Sequence, residues 1–180
     1  LAQGADAALA VVVGGTVMNL ADARWRFLGG LDDSTGARRT GTVLHPLAFV
    51  LVFLMFWPTA HGAWSPGPLV TPSLPAVLAG ILVMALADPA AALAGRRWGG
   101  GGPGKTMAGS AAFAAVAALV LTGVAEWAGP RAEPSAVSPG ALLILVTALG
   151  AAIVERVSPS GTDNLTVPVA VSLTWATLPS

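Results

Sequence analysis

The stretch "LAGILVMALADPAAALAGRRWGGGGPGKT", residues 78–106, admits two incompatible folds. From Gly99 onward it satisfies G-x-x-x-x-G-K-[ST], the phosphate-binding loop of soluble nucleotide hydrolases, which sits between a strand and a helix. The residues before Gly99 read as an Ala-rich helix rather than a β-branched strand. No later apolar strand ending in Asp offers a second magnesium ligand, so a parallel sheet has nowhere to form. We therefore read the match as coincidental, and Gly100–Gly102 as a glycine linker between two helices.

Composition points the same way. Charged residues make up 10% of the 180-residue chain, against about 25% in ordinary globular domains. Mean hydropathy is +0.74. So few charges along long apolar runs imply a bilayer as solvent. The net charge of zero gives no field for nucleic acid. The absence of cysteine excludes a disulfide framework and a thiolate metal site. The amino-terminal stretch lacks a basic region and does not read as a signal peptide.

Six apolar stretches follow one another, near 7–21, 42–57, 69–94, 106–128, 139–154 and 164–178. A crossing takes about 20 residues, which the third and fourth meet comfortably and the first meets worst. Pro72 and Pro75 place the regular start of the third near Pro75. The first, third and fifth connections carry Arg24, Arg26, Arg38, Arg39, Arg96, Arg97, Lys105 and Arg156, whereas the even ones carry only Arg131. The positive-inside rule then puts the odd connections in the cytoplasm and both termini outside. Trp57, Trp127 and Trp175 near segment ends, with Trp25, Trp64 and Trp98 in connections, suit an interfacial belt. Small residues, as in "AGSAAFAAVAALVLTG" (108–123), let helices approach closely. The expectation is a single all-α domain over residues 1–180, a bundle of six transmembrane helices.

Asp88 is the most informative residue. It lies about six residues before the expected cytoplasmic end of its helix, and an ionisable group there marks a functional site by default. The plainer alternative pairs it with Arg96 or Arg97 to lock the helix end. Its neighbours at i+3, i+4 and i+7 are Ala91, Ala92 and Gly95, a bare face that admits a ligand or a close-packed helix. Arg96, Arg97 and Lys105 beside the helix opening at Thr106, Gly109 and Ser110 form an anion site, or merely obey the positive-inside rule. Glu155 ends the fifth helix, and Asp163–Asn164 opens the sixth, where Asp163 also suits an N-cap. Magnesium takes one or two carboxylates plus phosphate oxygens, so this set suits a nucleoside triphosphate at the membrane surface.

The string "ADPAAALAGRRWG" (87–99), "GKTMAGSAAF" (104–113) and "IVERVSPSGTDNLTVPVA" (153–170) resembles the CTP-dependent polyprenol kinase family, which includes dolichol, phytol and farnesol kinases. The resemblance spans about 87–170. Its pattern falls on Asp88, Gly95, Arg96, Gly99, Lys105, Thr106, Gly109, Ser110, Glu155, Asp163, Asn164 and Pro168. Ala87 replaces the family's usual Gly, and Ala108 stands where many members have Glu, as in the phytol kinase branch. Arg38, Arg39 and His45 echo an amino-terminal Arg-Lys…His element at a different spacing, and no role is carried onto them.

The resemblance implies transfer of the terminal phosphate of CTP to a lipid alcohol, with Mg²⁺, at the cytoplasmic face. Asp88, Lys105, Glu155 and Asp163 would be catalytic, with Asp88 and Asp163 also offered to the metal. Gly95, Arg96, Gly99, Lys105, Thr106, Gly109, Ser110 and Asn164 would hold the nucleotide. A phosphatidate cytidylyltransferase is the second enzyme reading, although its carboxy-terminal acidic signature is missing. A small transporter coupling through Asp88 is the non-enzymatic one. The topology is directly testable. Cysteines placed at Ser34 and Ala63 should label from opposite sides of sealed vesicles, and labelling of both from one side would overturn it.

Overall fold

The computed structural model describes residues 36–56, 73–100, 104–128, 140–159 and 161–177. The described residues form five α-helices and no strand. They are α1 (Gly36–Phe56), α2 (Leu74–Trp98), α3 (Met107–Ala128), α4 (Ala141–Val157) and α5 (Asp163–Ala176). These correspond to the second to sixth apolar stretches. The first stretch, 7–21, lies outside the described residues, as do Trp25, Trp57 and Trp64. Helices α2 and α3 are long and apolar enough to cross a membrane, and Leu44–Phe56 is a shorter apolar segment. The element before Gly99 is thus helix α2, which removes the strand that a phosphate-binding loop requires.

The start of α2 falls where the prolines put it. Ser73 caps the helix by accepting from the Ala76 amide at 3.2 Å, with Pro75 in the first turn. Its end corrects the sequence reading, which closed the segment at Ala94. Nothing breaks the helix before Gly99, and the cations Arg96 and Arg97 sit favourably in its last turn against the carbonyl end of the dipole. Asp88 therefore lies ten residues before the last helical residue, Trp98, about 15 Å along the axis.

Helix α2 is the hub, packing on α3, α5 and α1, while α4 packs on α3 and α5, and α1 on α5. Its inward stripe is Ala76, Gly80, Val83, Ala87, Ala91 and Ala94. The facing stripe of α3 is Gly109, Phe113, Ala117, Leu121 and Ala125. Such small side chains let the helix backbones come close. The limit is reached at Gly80, where an added Cβ would lie 2.5 Å from the Pro168 carbonyl oxygen and 2.1 Å from Ser172 Oγ. Ser172 Oγ–H donates to the Ala76 carbonyl at 2.9 Å, tying α5 to α2. Trp175 is buried in this core rather than placed at an interface, because its position in α5 faces the bundle. Trp98 and Trp127 are exposed.

The contrast between two glycines tests this packing. Gly80→Ala must move backbone and should cost about 1–3 kcal/mol by overpacking. Gly123→Ala, with nothing within 4 Å of its Cβ, should stabilise by up to about 1 kcal/mol of helix propensity. Thermal unfolding of the two variants in detergent should therefore shift in opposite directions.

Candidate functional site

Four helix ends meet on one side of the bundle: the carboxyl ends of α2 and α4 and the amino ends of α3 and α5. Between them lies an open cleft of about 390 Å³, lined by Asp88, Ala91, Ala92, Gly95, Arg96, Gly104, Lys105, Thr106, Gly109, Ser110, Glu155 and Asp163. Of the residues given a catalytic, nucleotide or metal role by the resemblance, all but Gly99 and Asn164 line it. The bare face of α2 anticipated from Ala91, Ala92 and Gly95 is one wall. Gly109 keeps α3 close to that wall, since a Cβ there would meet the Ala91 carbonyl oxygen at 3.0 Å.

The turn from α2 to α3 is built by Gly99 and Thr106. The Gly99 amide donates to the Gly95 carbonyl at 2.9 Å, so it closes the helix and is not free for phosphate, the role first considered for it. A Cβ at Gly99 would collide with Gly95 O at 2.3 Å and Thr106 Cγ2 at 2.5 Å. Gly100 and Gly104 adopt φ of 76° and 103°, a region glycine enters without the Cβ penalty. Thr106 Oγ1 accepts from the Gly109 amide at 3.0 Å, the geometry of a side-chain N-cap.

The wall opposite α2 comes from the α4–α5 hairpin, whose turn is held tightly. The Thr162 amide and hydroxyl both donate to the Pro159 carbonyl, at 3.0 and 2.8 Å, and Gly161 takes φ 88°. Ser158 Oγ–H donates to the Val154 carbonyl at 2.6 Å and contacts Thr166 Oγ1 at 2.9 Å. This turn presents Glu155 and Asp163 side by side. Asp163 is the first residue of α5, with Thr162 at the cap position, so it does not serve as the N-cap considered above. It faces the cleft instead.

Lys105 reaches across to that pair. Its Nζ lies 2.6 Å from Asp163 Oδ2 and 3.1 Å from Glu155 Oε1, and it also donates to the Glu155 backbone carbonyl. Asp163 Oδ1 accepts from the Asn164 amide at 3.0 Å. Both oxygens of Asp163 are thus engaged, whereas Glu155 Oε2 is buried without a partner. Asp88 feels the charges of Asp163, Glu155 and Lys105, yet among the described residues it forms no ion pair with Arg96 or Arg97. The helix-end lock considered for it is not made. Arg156 Nη1 donates to Ser110 Oγ at 3.2 Å on the rim, and Arg97 does not line the cleft.

Sequence reasoning missed one residue. His45 of α1 lies against the Asn164 side chain, where α1 meets the amino end of α5, and its ring meets Phe49 at 4.6 Å in a tilted arrangement. Its echo of the Arg-Lys…His element was the available signal. The carboxylate oxygens left outside the Lys105 and Asn164 contacts are Glu155 Oε2, buried without a partner, and those of Asp88. No group of three or more His, Asp or Glu that could hold a metal ion exists among the described residues.

Comparison of the chain with protein-family models, with curated proteins and with solved structures returned no match. The cap at Thr106 gives a local test. Thr106→Ala should cost about 1 kcal/mol in thermal unfolding, while Thr106→Ser keeps the oxygen and should recover most of it. Equal loss in both variants would show that the Oγ1 bond is not what matters there.

Proposed function

We propose that the protein is an integral-membrane lipid-alcohol kinase, transferring the terminal phosphate of CTP to a polyprenol or similar isoprenoid alcohol. The observation that carries this reading is convergence. Motif pieces separated by up to about 75 residues in sequence, from Asp88 to Asp163, line one cleft. Membrane location is supported by α2 and α3 and by Leu86, Leu93, Leu119, Leu142 and Ile153, each more than half exposed on the outer faces. Six spans with a cytoplasmic site and external termini complete the proposal, on the charge asymmetry of the connections.

Phosphoryl transfer needs mainly positioning and charge stabilisation. The lipid hydroxyl oxygen attacks the terminal phosphorus, the bond to the bridging oxygen breaks, and CDP leaves. Asp88, which forms no ion pair among the described residues, orients the hydroxyl and takes its proton. Arg96 and the amino end of α3 receive phosphate oxygens. Glu155 would hold magnesium through Oε2, which when bound neutralises charge on the transferring phosphates. Asn164 would fix the nucleotide edge. The choice of CTP over ATP rests on the resemblance alone.

One observation favours a second reading. Asp88 lies deeper than the sequence suggested, ten residues from the end of α2, toward the midplane depth at which transporter sites lie. Purified full chain in detergent, with magnesium, terminally labelled CTP and a panel of isoprenoid alcohols, decides between them. Labelled lipid monophosphate and CDP are expected. Asp88→Asn should nearly abolish them, and Arg96→Ala should cost about 10²- to 10³-fold, or about 2.7–4 kcal/mol. Gly101→Ser with Gly102→Ser should leave most of the rate. A cytidylyl lipid would point to the other enzyme class, and no product with any alcohol would leave transport. Equal use of ATP would keep the kinase and remove CTP.

A further inference from the structure

We propose that Lys105 is an internal counter-ion that fastens the α4–α5 hairpin onto the α2–α3 turn, and that Arg96 alone is the cation the cleft offers to an anionic ligand. An ammonium has three N–H donors and no more. Here three acceptors meet them: Asp163 Oδ2, Glu155 Oε1 and the Glu155 backbone carbonyl. That carbonyl lies in the last turn of α4, where intrahelical donors run out and the dipole favours a cation. The Glu155 and Asp163 side chains are only 7% and 11% exposed, so the pair is held by an ion that cannot leave without stranding two carboxylates. To turn toward a phosphate, Nζ would have to abandon them.

Arg96 is placed in the opposite way. It is exposed in the last turn of α2, lines the same cleft, and has no hydrogen bond or ion pair among the described residues. Its guanidinium keeps all its donors for a ligand, in a fork that matches phosphate. The two cations of the motif thus divide the work. Lys105 is a positioning residue that presents Glu155 and Asp163 to the cleft, and Arg96 is the ligand contact. The assignment to Arg96 rests on the anion-binding part of the proposed function. The clamp does not.

Four proteins test the division: wild type, Lys105→Met, Arg96→Met and the charge-conserving double variant Lys105→Met with Asp163→Asn, which leaves the proposed magnesium ligand Glu155 in place. The full chain in detergent is melted without ligand and titrated with inorganic tripolyphosphate plus magnesium. Lys105→Met should melt lower by about 5 °C or more, since removing one partner strands buried charge. The double variant should regain at least half of that loss. Arg96→Met should melt like wild type and bind tripolyphosphate at least tenfold more weakly. The double variant, whose net charge equals that of wild type, should bind within threefold, which a phosphate-contacting lysine would not permit. If Lys105→Met does not fold, the double variant carries both readings. An unchanged melting temperature in Lys105→Met, or a tenfold loss of affinity in the double variant, would overturn the proposal. Wild type that binds neither tripolyphosphate nor CTP would remove the kinase reading and the role of Arg96, while the melting arms still decide the clamp.

Discussion

A buried carboxylate pair needs a counter-ion, and in this bundle the counter-ion comes from another part of the chain. Glu155 closes α4 and Asp163 opens α5, and the turn between them is short and heavily hydrogen-bonded. Left alone, two such acids would repel each other and resist burial. Lys105 satisfies both from the turn that links α2 to α3. The reach of that one side chain sets how the two hairpins lie at this end of the bundle. The cleft is the space left between them once the lysine has drawn them together. Small residues do the complementary work. Ala91, Ala92 and Gly95 leave the α2 wall bare, while Gly109 lets α3 come so close to the same helix that a Cβ there would lie 3.0 Å from the Ala91 carbonyl oxygen.

Much of this was legible in the residues because membrane-like segments have few ways to fold. Runs of Ala, Leu and Val broken by charged connections mark helices, and five of the expected six coincide with α1–α5. Asp88, Glu155 and Asp163 were identifiable because acids are costly in apolar surroundings, and all three face one cleft. Helix ends were harder. Arg96 and Arg97 looked like connection residues because charge usually marks the end of an apolar run, yet arginine is a good helix former and α2 continues to Trp98.

Three-dimensional partners were not legible at all. Nothing in the spacing says that Lys105 spends its donors on Glu155 and Asp163, that the Gly99 amide closes α2, or that His45 meets Asn164. A motif fixes which residues are near a site but not which of them remain free within it. Trp175 makes the same point, since a position near a segment end says nothing about which way the ring faces, and this one faces the core.

Charge at the cleft constrains what form a nucleotide could take there. Among the described residues that line the cleft, Asp88, Glu155 and Asp163 oppose Arg96 and Lys105, so three acids face two cations, and one of the cations is already committed. A bare triphosphate would meet net repulsion in partly desolvated surroundings, where charge interactions are stronger than in water. A triphosphate carrying a divalent cation reverses the balance, because the cation faces the carboxylates while the phosphate oxygens face Arg96 and the amino end of α3. Under the kinase reading the acids therefore favour the metal complex over the free nucleotide. Under the same reading the unpartnered Glu155 Oε2 is the oxygen that a bound cation would satisfy, since an acceptor left without a hydrogen bond inside a protein is costly.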